Sequence, residues 1–453
     1  MLHNRFLQLL VTSGVILSFR SGSAAQSVVD PAPVRGLLRP NLPPATTPVE
    51  QSQTPAEIRI AQARLLVKTK PEDIEAHNAL ALALARRARE TGNPQYYDEA
   101  GESLKESFRI SPDNFAAQKL EVWLLLGKHD FGQALKKSRE LNQRMPNDLL
   151  VYALLADAAV EMGEYEEAEK AVQSNFDMKP GDIAGLTRGA YLRELFGDIE
   201  GALEMLQSAY EKTSETEVED RAWILTQMAH LNLIRGETDA ADRLLGAALA
   251  TFPRYHYALA GLGKVRMAQG KKREAALVLM DYMESSPSAE SCLAFGQGLL
   301  QDGRQEEARV SFAQFESLAL KECGGTHNHN RELAFYYADI AGKPVEALRF
   351  ASMEAARRQD INTLHCHAWS LYVNGKYAEA RREIDKALKP GIRDPVIFYH
   401  AGMIAVKNHD LTDARRYLQA SLTMCPQSEV AESVRKALAA IPAAASPPPS
   451  AAE

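Results

Sequence analysis

Six thiol and imidazole side chains in the last third of this chain are the residues best suited by type to bind a metal or answer to redox conditions. Cys323, His327 and His329 fall within the stretch 322–330, and His365, Cys366 and His367 follow further along. Thiolate and neutral imidazole are zinc-type ligands, so a Cys/His site is conceivable if the two stretches meet in space. Against it, His365 and His367 are two residues apart and would point to different faces of a helix. The plainer alternative is a polar loop with histidines at the edge of a core. Cys292, Cys323, Cys366 and Cys425 form no Cys-x-x-Cys pair. A Cys292–Cys323 bridge is one option in an oxidising compartment. Buried free thiols acting as small hydrophobes are the other. The chain holds no phosphate-cradling glycine loop, nucleophile elbow, His-Glu-x-x-His or haem-attachment motif, so catalysis is not expected and no cofactor is implied.

The elements that must position these residues repeat. Alanines at 100, 134, 168, 202, 241, 275, 308, 347, 380 and 414 recur with gaps of 33 or 34 residues, apart from two gaps of 39. Proline follows twelve residues later in most copies, as at Pro146, Pro180 and Pro253, and a small residue precedes by twelve, as at Ala156, Ala190 and Gly263. A glycine stands between, as at Gly163 and Gly197. Each position has a mechanical reason. Small residues on paired helices let two backbones approach, where larger side chains would force them apart. Glycine supplies the left-handed dihedrals that end a helix, and proline stops the second helix. Apolar residues at Ala241, Leu245 and Ala248 form one buried stripe. A period of this length predicts stacked helical hairpins and not a closed globule.

The phrase is cleanest at Gly163, Tyr165, Ala168, Val172, Asn175 and Pro180, and it resembles the tetratricopeptide repeat over roughly residues 75–427. The resemblance implies an all-α solenoid, a right-handed superhelix of about ten hairpins. A C-terminal capping helix is expected over 428–438. It further implies a concave wall built by the first helix of each hairpin, with one position per repeat facing the groove. That position holds Trp123, Asp157, Tyr191, His230, Lys264, Gln297, Tyr336, Trp369 and Met403, with Trp223, Tyr257, His365, Tyr372 and Tyr399 at other inner-wall positions. Aromatic rings there could anchor a protein segment, or could fill space between neighbouring helices; both readings stay open. The Lys/Asn clamp used by such domains for acidic chaperone tails is absent.

The chain is 45% hydrophobic but only 7% aromatic, which suits close helix–helix packing of small residues. Phe6 to Phe19 is a mostly apolar run followed by Ser23-Ala24-Ala25, so residues 1–25 are expected to be a secretory signal. Residues 26–55 are expected to be a proline-rich disordered linker, 56–440 the solenoid and 441–453 a disordered tail. Removing Arg5 and Arg20 with the signal leaves 50 basic against 59 acidic residues. With no basic stripe, neither nucleic acid nor an anionic membrane surface is an expected partner, and no stable membrane span remains after cleavage. The acidic run Glu215, Glu217, Glu219 and Asp220 reads as a solvated surface. The expected function is an exported scaffold of the bacterial periplasm or cell envelope. It would hold a protein segment in a secretion, assembly or export complex. A metal- or redox-responsive protein and a glycan-binding scaffold of polysaccharide export are the alternatives.

Overall fold

The computed structural model describes residues 53–441 apart from 324, 326, 327 and 429. The expected signal, nearly all of the proline-rich linker, the tail beyond 441 and His327 lie outside the described residues. All regular structure among the described residues is helical. Helix α1 (Pro55–Thr69) leads into ten hairpins. They pair α2 (Ile74–Thr91) with α3 (Gln95–Ile110), α4 (Phe115–Gly127) with α5 (Phe131–Arg144), and α6 (Leu149–Met162) with α7 (Tyr165–Met178). Next come α8 (Ile183–Leu195) with α9 (Ile199–Lys212), α10 (Val218–Ile234) with α11 (Thr238–Thr251), and α12 (His256–Ala268) with α13 (Lys272–Ser285). The last four pair α14 (Ala289–Gln301) with α15 (Gln305–Glu322), α16 (Asn330–Asp339) with α17 (Pro344–Ala355), α18 (Ile361–Val373) with α19 (Tyr377–Leu388), and α20 (Pro395–Lys407) with α21 (Leu411–Met424). Helix α22 (Ala431–Ala440) covers the far end, slightly later than expected. The chain is thus an all-α solenoid.

The ten recurring alanines each sit on the second helix of a hairpin and are fully buried. The close approach they permit is tight from the other side too. A Cβ added at Gly263 would meet Leu279 at 2.4 Å, and one at Gly402 would meet Leu418 at 2.6 Å. First helices such as α6, LLVYALLADAAVEM, are apolar almost all round because second helices cover them on two sides. Second helices such as α7 bury only Ala168, Ala171, Val172 and Asn175 and turn charge outward. Aspartates after the terminating prolines start the next helix: Asp148 accepts from the Leu150 and Val151 amides, and Asp394 from those of Val396 and Ile397. The stretch 89–95, which separates the first pair of helices more widely than in other copies, mostly lengthens α2, which runs on to Thr91.

Successive turns of the superhelix touch. Gly163, in the third hairpin's turn, backs onto Gln359 and Asp360 between the eighth and ninth hairpins. Gly197 backs onto Gly391, one hairpin later in each turn, and Gly236 approaches Met424 and Cys425. The seam also carries charge. Arg358 bridges to Glu161 at 3.0 Å, and the Ile361 amide donates to the Tyr165 hydroxyl at 2.8 Å. At the start of the chain Arg89 pairs with Glu219 at 2.9 Å and Asp220 at 3.4 Å, Arg86 and Arg59 both pair with Glu217, and Tyr255 donates to Glu219. The acidic run therefore corrects the expectation of a solvated face. Glu215 is exposed, but Glu219 and Asp220 are buried partners of a distant arginine. Gly163 has φ +83°, and an added Cβ would lie 2.6 Å from the Gln359 carbonyl oxygen. Gly163→Ala should therefore cost about 1–3 kcal/mol in urea unfolding. A cost no larger than that of Gly303→Ala, at φ +81° with nothing within 4 Å, would show that the seam contact is slack.

Candidate functional site

The first helices of hairpins one to three line an apolar cavity of about 290 Å³ on the inner wall. Each contributes positions in one register. Ala79 and Leu82 come from α2, Leu120 and Trp123 from α4, and Leu150 and Leu154 from α6, with Glu75, Asn78, Ala116 and Lys119 completing the lining. Leu120 and Leu154 are 34 residues apart, as are Ala116 and Leu150, so the cavity is a direct product of the repeat. Leu82, Leu120 and Leu150 are half-buried while Trp123 and Leu154 are buried, giving an accessible aliphatic surface over a packed floor. Lys119 is held by Asp148 at 2.7 Å. Asn78 is fixed by Asn114 and Ser107. The cavity gives way to charge at the next repeat. There Arg188 makes a two-pronged contact with Asp157, at 2.5 and 3.1 Å, with both side chains buried.

The inner-wall residues named from the sequence do not form one continuous site. Trp123 lines the cavity. Tyr191 and Trp223 are buried between helices. His230 contacts Glu194 at 3.2 Å. Together with Lys264 it lies in electrostatic reach of Asp394, whose carboxyl burial raises against their pull. Tyr257 stacks edge-on with Tyr255, and Tyr336 with Phe315. Met403 is half-buried on α20. Trp369, Tyr372 and Tyr399 do come together. Trp369 stacks on Tyr372 at 4.6 Å and on His400 at 3.6 Å, and its indole N–H donates to Asp339 at 2.7 Å. Trp369 is nearly covered, so only Tyr372 and Tyr399 retain partly open faces.

The thiols and imidazoles are separated. Among the described residues no group of three or more His, Cys, Asp or Glu is placed to hold a metal ion. His365 instead meets His400, Nε2 to Nδ1 at 2.7 Å, so one proton is shared between them. Burial lowers the His365 pKa to about 3, and that of His400 well below the usual value, so both rings are neutral at pH 7. His329 is buried 3.0 Å from Glu322. Cys366 leans on the Arg331 carbonyl. All four cysteines are free, so no Cys292–Cys323 bridge is formed, and burial pushes the Cys292 thiol up to about 12.

Sequence reasoning picked one inner position per repeat and so found Trp123 but missed Leu82, Leu120 and Leu150. The missing signal was the same helix face one or two turns earlier: Leu120 is three residues before Trp123, and Leu150 is seven before Asp157. None of the helices among the described residues is long and apolar enough to cross a membrane.

Family models for the tetratricopeptide repeat match residues 125–184 and 367–429. A TPR repeat-containing protein of Methanocaldococcus jannaschii is 28% identical over 109 residues, 24% of this chain, and the match spans only 19% of that relative's own length. Among solved structures, a human IFIT1 dimer with PPP-AAAA is 14% identical with a TM-score of 0.46, covering 82% of this chain and 95% of that one. A tetratricopeptide repeat protein from Parabacteroides merdae is 18% identical with a TM-score of 0.38, covering 58% and 93%. The ten hairpins in register, with their buried alanines and left-handed turn glycines, are the same architecture read from the coordinates. The chain is a tetratricopeptide-repeat protein.

Proposed function

We propose that this protein is a non-catalytic protein-interaction scaffold whose principal contact site is the apolar cavity on hairpins one to three. The observation that carries this is the half-buried leucine trio, Leu82, Leu120 and Leu150, over Trp123. Repeats of this kind suggest protein partners, and aliphatic side chains spaced along three adjacent helices suit apolar anchors from a peptide or helix. Tyr372 and Tyr399, which keep partly open faces, are further inner-wall residues that a partner could contact. The apolar run Phe6 to Phe19 with Ser23-Ala24-Ala25 supports export, so we place the scaffold in a bacterial cell envelope, in a secretion, assembly or export complex.

The test is capture from envelope extract by the native chain beside a Leu82→Asp, Leu120→Asp variant. Buried apolar anchors contribute about 1–3 kcal/mol each, so the variant should lose the captured partner at least tenfold while its helical content is unchanged. Equal capture by both would remove the cavity from the function. The export reading is tested separately by fusing residues 1–52 to alkaline phosphatase, which is active only outside the cytoplasm. An inactive fusion would sink it.

A further inference from the structure

We propose that the cavity on hairpins one to three is a docking site for this chain's own residues Val34–Arg39, which occupy it in cis and must be displaced by a partner. The proposal rests on the cavity being a peptide site, as argued above. Its occupant is identified by reach, by hydrophobic content and by charge.

Reach follows from where the chain enters the fold. The Thr54 hydroxyl donates to Glu90 at 2.7 Å, which holds the N-terminal edge of the solenoid against the last turn of α2. Leu82 lies eight residues down the same helix, about 12 Å away along the axis. Arg39 lies 14 residues before residue 53. A proline-rich spacer extends about 3.1 Å per residue, roughly 40 Å in all, so the segment can reach the cavity with slack to turn back. A tether of this length gives an effective concentration in the millimolar range, so a weak intrinsic contact is enough to keep the site filled.

Hydrophobic content singles out one island. Between Gln26 and the start of α1 the chain is mostly proline, small and polar residues, and the one adjacent leucine pair is Leu37-Leu38. Two leucine side chains match a cavity of about 290 Å³ walled by Leu82, Leu120 and Leu150. The charges agree. Arg35 and Arg39 flank the leucines. Glu75, at the start of α2, is in the lining and is the acid that faces them, since Glu72 bridges Arg109 at 2.9 Å and Asp73 caps the helix by accepting from the Glu75 amide. Lys119, the rim cation, is already engaged by Asp148.

The experiment uses the full chain. A photo-crosslinking phenylalanine analogue is placed at Leu120, and the crosslinked peptides are identified by mass spectrometry at several protein concentrations. The expected result is a crosslink to a peptide containing Leu37-Leu38 in a product of monomer size, independent of concentration. A Leu37→Asp, Leu38→Asp chain should lose that crosslink and bind the apolar dye 8-anilinonaphthalene-1-sulfonate at least threefold more brightly. Adding Leu82→Asp should remove the extra dye signal. A crosslink confined to a dimer-sized product would assign the segment to a second copy and overturn the cis arrangement. No crosslink to residues 31–44, or no dye gain, would also overturn it. The scaffold reading has its own readout: loss of partner capture in the Leu82→Asp, Leu120→Asp chain stands or fails whatever the Leu37-Leu38 result.

Discussion

Replacing Arg358 with alanine should lower the stability of the whole chain by about 3–5 kcal/mol, read as a shift of the urea midpoint. Arg358 is almost fully buried where the third hairpin meets the junction of the eighth and ninth. It reaches Glu161 at 3.0 Å, Glu354 at 2.7 Å and Asp360 at 3.5 Å, and lies over the Phe131 ring. Its loss removes the one guanidinium shared by the buried Glu161, Glu354 and Asp360, and taking a single partner out of a buried charge network costs more than the pair contributed. The double change Arg358→Met, Glu161→Gln should recover part of the loss, because no charge is then stranded across the seam. Small-angle scattering should also show a larger radius for Arg358→Ala, since this contact ties one superhelical turn to the next. An alanine variant with native midpoint and radius would mean the seam is held by its other contacts, such as the packing at Gly163 and Gly197 and the Arg89 ion pairs, and not by Arg358.

Stability should fall as pH rises from about 6.5 to 8, and Glu332→Gln and Glu322→Gln should flatten the fall. Burial is the main influence on Glu332 and pushes its carboxyl up to about 8; Arg331 and Arg358 oppose it, and Glu354 adds to it. Glu322, beside the buried His329, is pushed up to about 8 by burial against Lys321, and burial raises Glu219 against the pull of Arg89. The folded state thus holds protons that the unfolded chain has already released above its ordinary carboxyl pKa. Stability therefore declines with pH until the folded carboxyls ionise. Over this window each of the two higher carboxyls should contribute on the order of 2 kcal/mol. Below pH 6.5 the buried imidazoles act with the opposite sign. Burial lowers His329 and His365 to about 3 and His256 to about 4, so the unfolded chain gains protons first and stability falls as pH drops. Glu354 behaves as a paired carboxylate. Burial raises it, but Arg358, Arg357 and Arg331 prevail and hold it at about 2, so its contribution is lost only in strong acid. Urea midpoints at pH 6.5, 7.2 and 8 check the carboxyl prediction. A flat wild-type profile, or a Glu332→Gln chain with unchanged slope, would sink it.

The repeat was legible because it is a local code. The hairpin needs a small residue facing an alanine, a glycine at its turn and a proline at its end. Those demands fall on fixed offsets within 34 residues, so ten copies could be counted before any contact was known. Departures from the code obey it as well. His409, in place of the turn glycine, adopts φ +60° as the position demands. The site was only partly legible. Trp123 was found from its register, but the leucines beside it looked like ordinary core.

The sequence by itself determined the hairpins and their number, because those depend on neighbours one repeat away. Only the tertiary structure decided how the stack coils. Whether Glu219 faces water or Arg89, and whether Glu161 meets Arg358, depends on small rotations accumulated over four to six hairpins. No residue pattern within a repeat encodes that sum. The same coiling buries Tyr191 and Trp223 and leaves the leucine cavity of the first three hairpins open.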